Sequence, residues 1–165
     1  MPGSDLVMYE EEFHLIDAEL QRLHTQANAK VVFLVDKNGQ LIASVGETKG
    51  IDTTSLASLT AGNIAATGGM AKLLGEKEFS ILFHEGEKDN IHISIIGQRV
   101  ILVVIFDQRS SLGLVRLRVK KSSEVIAKIF EVMQEKSERD RAKGKASASS
   151  PFAEITDEDI DNLFG

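Results

Sequence analysis

Few side chains in this sequence are of types and spacings that could carry chemistry. The four histidines are scattered, and His84 and His92 are the two worth pairing. Matching Phe83 with Ile93 and Ile81 with Ile95 aligns the apolar alternation of two neighbouring β-runs and sets His84 opposite His92. Two imidazoles fall short of a zinc site, which takes three or four protein ligands. The adjacent positions Leu82 and Ser94 add neither carboxylate nor imidazole. The pair therefore reads as part of a polar sheet face. Arg99 and Arg109 fall at loop positions, where a guanidinium can reach a partner's phosphate, although a solvated turn cation is the commoner use. The carboxylates are mostly glutamates on helix faces, where solvation is the ordinary reading. No GxxxxGKS/T loop, GxSxG elbow or HExxH pair occurs. Cysteine is absent, which removes disulfides, thiolate ligands and cysteine nucleophiles. The expectation is a protein with no catalytic residue, no metal and no cofactor, so not an enzyme in its own right.

The elements that would position these residues follow from hydrophobic period. Leu6, Tyr9, Phe13, Ile16, Leu20, Leu23 and Ala27 recur every three or four residues, predicting a helix over 5–27 with Ser4 or Asp5 as its cap and Asn28 as its stop. Glu10, Glu11 and Glu12 sit near its positive end. Two β-rich runs, Val31–Val35 and Gln40–Val45, flank Asp36-Lys37-Asn38-Gly39, a strong hairpin signal. Asp52, Thr53 and Thr54 can cap a second helix over roughly 54–75. Phe79–Glu85 and Ile91–Ile95 alternate, and Val100–Phe106 is continuously apolar, as a strand buried on both faces should be. Short turns at Glu87–Asn90 and Gly97–Arg99 make these three an antiparallel meander. Leu112–Lys136 reads as a third helix capped by Ser110 or Ser111, with Val115, Val119, Ile126, Ile129, Phe130 and Met133 on one face; its opening, LGLVRLRVK, also alternates like a strand. The expected order is α-β-β-α-β-β-β-α, an α/β (α+β) fold. The expected organisation is one domain over 1–136, a flexible polar linker over 137–150, and a tail over 151–165.

Two segments stand out. The second helix is unusually rich in small residues, and glycine inside a helix costs about 1 kcal/mol relative to alanine. Gly62, Gly68 and Gly69 together forfeit roughly 3 kcal/mol on that scale. Close approach of another backbone would offset the loss. That backbone could be the domain's own sheet, a symmetry mate or a partner protein, with Thr60, Asn63 and Thr67 supplying hydrogen bonds. In the tail, Phe152, Ile155, Ile160, Leu163 and Phe164 interrupt a run of acids. Thr156 can cap a short helix that places Ile160, Leu163 and Phe164 on one face, a peptide suited to a partner's groove. An inert acidic tail is the plainer alternative.

Net charge is −6, spread as −3 over 1–136, +2 over 137–150 and −5 over the last fifteen residues. This balance argues against nucleic acid as the main partner. No apolar run approaches the ~20 residues of a membrane span, and the acidic N-terminus lacks the pattern of a secretory signal. A cytoplasmic protein without a membrane partner is expected.

The strings NAKVVFLVDKNGQLIAS (28–44), IDTTSLASLTAGNIAATGGMAKLLGE (51–76), VILVVIFDQRSSLGLVRLRVKK (100–121) and SPFAEITDEDIDNLF (150–164) resemble the roadblock/dynein light-chain domain proteins. The resemblance is to the bacterial members that regulate cell polarity and motility. It spans nearly the whole chain except the linker. It implies a five-stranded antiparallel sheet between helices, a homodimer, and a GTPase-activating role toward a Ras-like GTPase of the MglA type. It also implies concentration at a cell pole. Paired second helices would form the surface offered to the GTPase, at Thr60, Ala61, Asn63, Ile64, Thr67, Gly68 and Ala71, with two chains per GTPase. No residue matches an arginine finger. The tail residues Phe152, Ile160, Leu163 and Phe164 would dock on the same GTPase or on another polarity protein; DEDIDNLF (157–164) also looks like acidic peptides that bind response regulators. A scaffold that anchors the GTPase without activating it fits the same residues.

Overall fold

Asp36 closes the hairpin at the start of the sheet. Its carboxylate accepts from the backbone N–H of Asn38 and of Gln40, and Gly39 takes φ +90° between them. The structure, a computed structural model, describes residues 9–146. Five strands, β1 (Val31–Asp36), β2 (Leu41–Gly46), β3 (Ile81–Glu85), β4 (Asn90–Ile96) and β5 (Val100–Phe106), pair antiparallel throughout in the order β2-β1-β5-β4-β3. Three helices accompany them: α1 (Glu10–Gln26), α2 (Thr53–Leu73) and α3 (Leu112–Ala146). The expected element order and antiparallel sheet are both observed.

The continuous apolar runs of β1 and β5 divide between two cores by the period-2 geometry of a strand. Val32, Leu34, Val100, Leu102, Val104 and Phe106 point to the side covered by α1 and α3, where Ile16, Leu20, Leu23, Val115, Ile126 and Met133 meet them. Val31, Phe33, Val35, Ile101, Val103 and Ile105 point to the other side, covered by α2 alone through Ala57 and its neighbours. Burying each such apolar side chain contributes about 1.5–3 kcal/mol, so the two central strands anchor both layers.

Helix ends follow local chemistry. Asn28 at φ +51° stops α1, and its amide donates to the Arg109 carbonyl. Asp52 caps α2, accepting from the Ser55 backbone N–H and hydroxyl, which hold its carboxyl below the usual range. Gly75 at φ +76° ends α2, with its own N–H donating to the Lys72 carbonyl and that of Glu76 to the Ala71 carbonyl. Ser111 caps α3, its hydroxyl accepting from Leu114.

Two helix boundaries differ from expectation, the start of α1 and the end of α3. The α1 cap at Ser4 or Asp5 lies outside the described residues, in which the helix begins at Glu10 without a side-chain cap. The opening of α3 is helical, as expected, because its apolar positions Val115 and Val119 reach the core at helical spacing. That helix also continues past Lys136 to Ala146, over most of the stretch expected to be linker. Tyr9 accounts for part of this extension by donating from its hydroxyl to Asp140, while Lys136 pairs with Glu11 and with the buried carboxylate of Glu12.

Candidate partner-binding surface

The hairpin of β3 and β4 sets the site's first surprise, a register one residue away from the expected one. Leu82 pairs with Ile93, Phe83 with His92 and His84 with Ile91. Ile91 and Ile93 face α2, whereas Ile81 and Phe83 face α3. Since one step of register turns a side chain to the other face, His84 and His92 point to opposite sides of the sheet. The expected histidine pair does not exist. His92 is 1% exposed under α3, and burial, with the Arg116 charge second, lowers its pKa, which favours the neutral ring. His84 instead faces α2, where its Nε2 lies 3.0 Å from the Asn63 amide nitrogen.

Helix α2 packs across the sheet through part of the face expected to meet a partner. At about 100° per residue, Ala57, Ala61, Ile64, Gly68 and Ala71 share one side. Ala57 and Ala71 are fully buried, and Ala61 and Ile64 pack on the sheet's α2-side core. Thr60 is buried as well, and its hydroxyl donates to the Leu56 carbonyl at 2.7 Å. The hydroxyl of Thr67 likewise donates to the Asn63 carbonyl at 2.8 Å. Of the residues expected to meet a partner, Thr60, Ala61, Ile64 and Ala71 are therefore turned toward the domain itself. Asn63, Thr67 and Gly68 lie at its margin, partly exposed.

The opposite side of α2 carries what the sequence reading missed. Leu59 is 70% exposed and Leu73 88%, with Met70 and Leu74 also exposed. Gly62, Ala66 and Gly69 lie among them. A Cβ added at Gly62, Gly68 or Gly69 would meet nothing within 4 Å. Packing against the domain's own sheet thus does not explain these glycines. Lys72 is the one charged residue in α2. A helix apolar on all sides signals burial on all sides, and that signal was legible in the sequence. Beside α2 runs β3, an edge strand with exposed Ile81 and Phe83.

The two arginines are placed differently. Arg99 is exposed in the β4–β5 turn. Arg109 is held in place: its Nε donates to Asp107 at 3.0 Å and its terminal nitrogen to Glu47 at 2.9 Å. These bonds raise the Arg109 pKa and lower those of both carboxylates. Among the described residues, no group of three or more His, Asp or Glu could hold a metal, and no helix is long and apolar enough to cross a membrane. The tail residues Phe152, Ile160, Leu163 and Phe164 lie outside the described residues.

Residues 15–106 match the Roadblock/LC7 domain. Among solved structures, MglB of Myxococcus xanthus is 68% identical, with a TM-score of 0.74 over 78% of this chain and 96% of that one. The gliding protein MglB of Thermus thermophilus is 34% identical, with a TM-score of 0.73 over 77% and 96%. An MglB with tetrameric arrangement is 32% identical, with a TM-score of 0.74 over 78% and 97%. No curated protein sequence matches significantly. The chain belongs to the Roadblock/LC7 family and, within it, to the MglB proteins.

Proposed function

We propose that this Roadblock/LC7 chain works as a homodimer that binds the GTP state of a Ras-like GTPase of the MglA type and accelerates its hydrolysis, without an active site of its own. The observation that carries this reading is the outer face of α2. Its exposed leucines and methionine form an apolar strip, and its glycines leave room for a second backbone to come close. The neighbouring edge strand β3 offers unpaired backbone groups that a second copy's β3 can pair by a two-fold axis. Membership of the MglB proteins supports the same assembly and partner.

In that assembly two α2 helices lie side by side and press on the switch segments of the GTPase. Ordering those segments places the GTPase's own water-positioning and charge-stabilising groups, and positioning plus electrostatics is what lowers the barrier to phosphoryl transfer. A single GTPase straddling the two-fold axis blocks a second, so the complex holds two of these chains per GTPase. The tail, through Phe152, Ile160, Leu163 and Phe164, serves as a tethered docking peptide.

One observation favours a second reading, a scaffold that holds the GTPase without activating it. No arginine stands on α2, and Arg109 is engaged within its own domain. Following phosphate release from GTP separates the two. The cognate GTPase is mixed with the full chain or with a form ending at Ala146, which keeps all of α3. Faster release with the full chain supports activation, and the shorter form reports the tail's share. Binding in the GTP state with an unchanged rate makes the protein a scaffold.

A further inference from the structure

On the side of the sheet away from α2, a cleft of about 580 Å3 runs between the β3–β4 edge and the first half of α3. His92 and Ser94 form its floor, two residues apart on β4 and on the same face. Both are more than nine-tenths buried. Neither nitrogen of the His92 ring, nor the Ser94 hydroxyl, has a hydrogen-bond partner among the described residues. Buried polar groups in folded proteins are almost always satisfied, and leaving them unmet costs free energy. Three such atoms at the floor of one cleft point to an occupant that meets them.

The walls and mouth specify its chemistry. Ile81, Leu117 and Val119 present aliphatic surface, so the occupant's body is apolar. Arg116 and Lys120 stand one helical turn apart on α3, and Glu124 follows one turn later. Neither cation is in an ion pair among the described residues, and the Arg116 charge is felt at His92. Two cations balanced by one carboxylate suit a single negative charge, and a bare inorganic anion would leave most of the cleft's volume unfilled. Size, apolar walls and a few convergent polar groups are the usual attributes of a small-molecule site.

We propose that this cleft binds a small organic monocarboxylate with an apolar body. The carboxylate accepts hydrogen bonds from the His92 ring, the Ser94 hydroxyl and the Arg116 guanidinium. The body lies along Ile81, Leu117 and Val119, and Lys120 adds charge at the mouth. The site is built from residues of one chain, on the face opposite α2, and Ile81 at its wall lies on β3, the strand that the homodimer proposed above pairs.

Octanoate is the probe. The full chain, with its histidine rings labelled by 15N, is titrated with octanoate, octanol and inorganic phosphate while the ring signals are followed by NMR. His92→Gln identifies the His92 signal. Octanoate is expected to shift that signal saturably, and octanol and phosphate to bind at least about tenfold more weakly. Arg116→Gln, an exposed position whose change leaves the fold intact, is expected to weaken octanoate about tenfold, in line with loss of one charge-assisted hydrogen bond. Ser94→Ala weakens it as well. Shifts that never saturate would mean a merely hydrated cleft and overturn the proposal. So would octanol binding as well as octanoate, phosphate binding equally well, or an Arg116→Gln chain that binds octanoate unchanged.

Discussion

The side-chain amide of Asn63, midway along α2, lies 3.0 Å from Nε2 of His84 on β3. This contact joins the helix that bears the apolar strip to the exposed edge strand beside it. Asn63→Ala and His84→Ala are each expected to cost about 0.5–1 kcal/mol, and a double-mutant cycle by urea unfolding is expected to give a coupling of about 0.5 kcal/mol. A coupling of zero would mean that the two elements are held together by packing alone.

The two sides of α2 are expected to respond oppositely to charge. Leu73→Asp changes a residue that is 88% exposed, so stability should move by no more than about 0.5 kcal/mol. Self-association and GTPase binding should both fail, as read by sedimentation and by pull-down of the GTP-loaded partner. Ala71→Asp, at a fully buried position, should instead cost more than about 3 kcal/mol and unfold much of the protein. If Leu73→Asp associates and binds normally, the outer face of α2 is not the interface.

Arg109 gives a sharper test of mechanism. A guanidinium supplied to a GTPase in trans is worth roughly 10³–10⁵ in rate. Held by Asp107 and Glu47, Arg109 is expected to play no such part, and Arg109→Ala should leave stimulated phosphate release within about twofold of the original, far from that loss. A fall of a thousandfold would show that the clamp opens in the complex.

The junction of α1 and α3 predicts a pH dependence. Glu12 is buried beside Lys136, whose hydrogen bond lowers the Glu12 pKa from 4.5 against the opposing effect of burial. A carboxyl with a depressed folded pKa stabilises above its unfolded value, and that contribution is lost as pH falls through the folded one. Thermal midpoints should therefore drop as pH goes below about 4.5, and this part of the dependence should flatten in Glu12→Gln. Lys136→Met at neutral pH should lower the midpoint by several degrees because it strands the buried carboxylate. Glu12→Leu with Lys136→Met should recover most of that loss.

Much of the molecule was determined by sequence alone. The alternating and continuous apolar runs, the Asn-Gly turn and the caps at Asp52 and Ser111 depend on neighbours a few residues apart, so they set element order and strand direction without further help. The family was legible for the same reason, in long strings of contiguous residues. Tertiary structure decided which way those elements turn. The β3–β4 register moved by one residue because Leu82, and not Phe83, pairs with Ile93, and that single step parted His84 from His92. Small residues on α2 marked a close contact, but only the sheet beneath it showed that Ala57, Ala61 and Ala71 belong to the inner contact and Gly62 and Gly69 to the outer face. The length of α3 likewise rests on partners more than a hundred residues away, Tyr9 for Asp140 and Glu12 for Lys136. Period and propensity act over one or two turns, whereas register, rotation and helix extension are settled by which distant side chains they bring into contact.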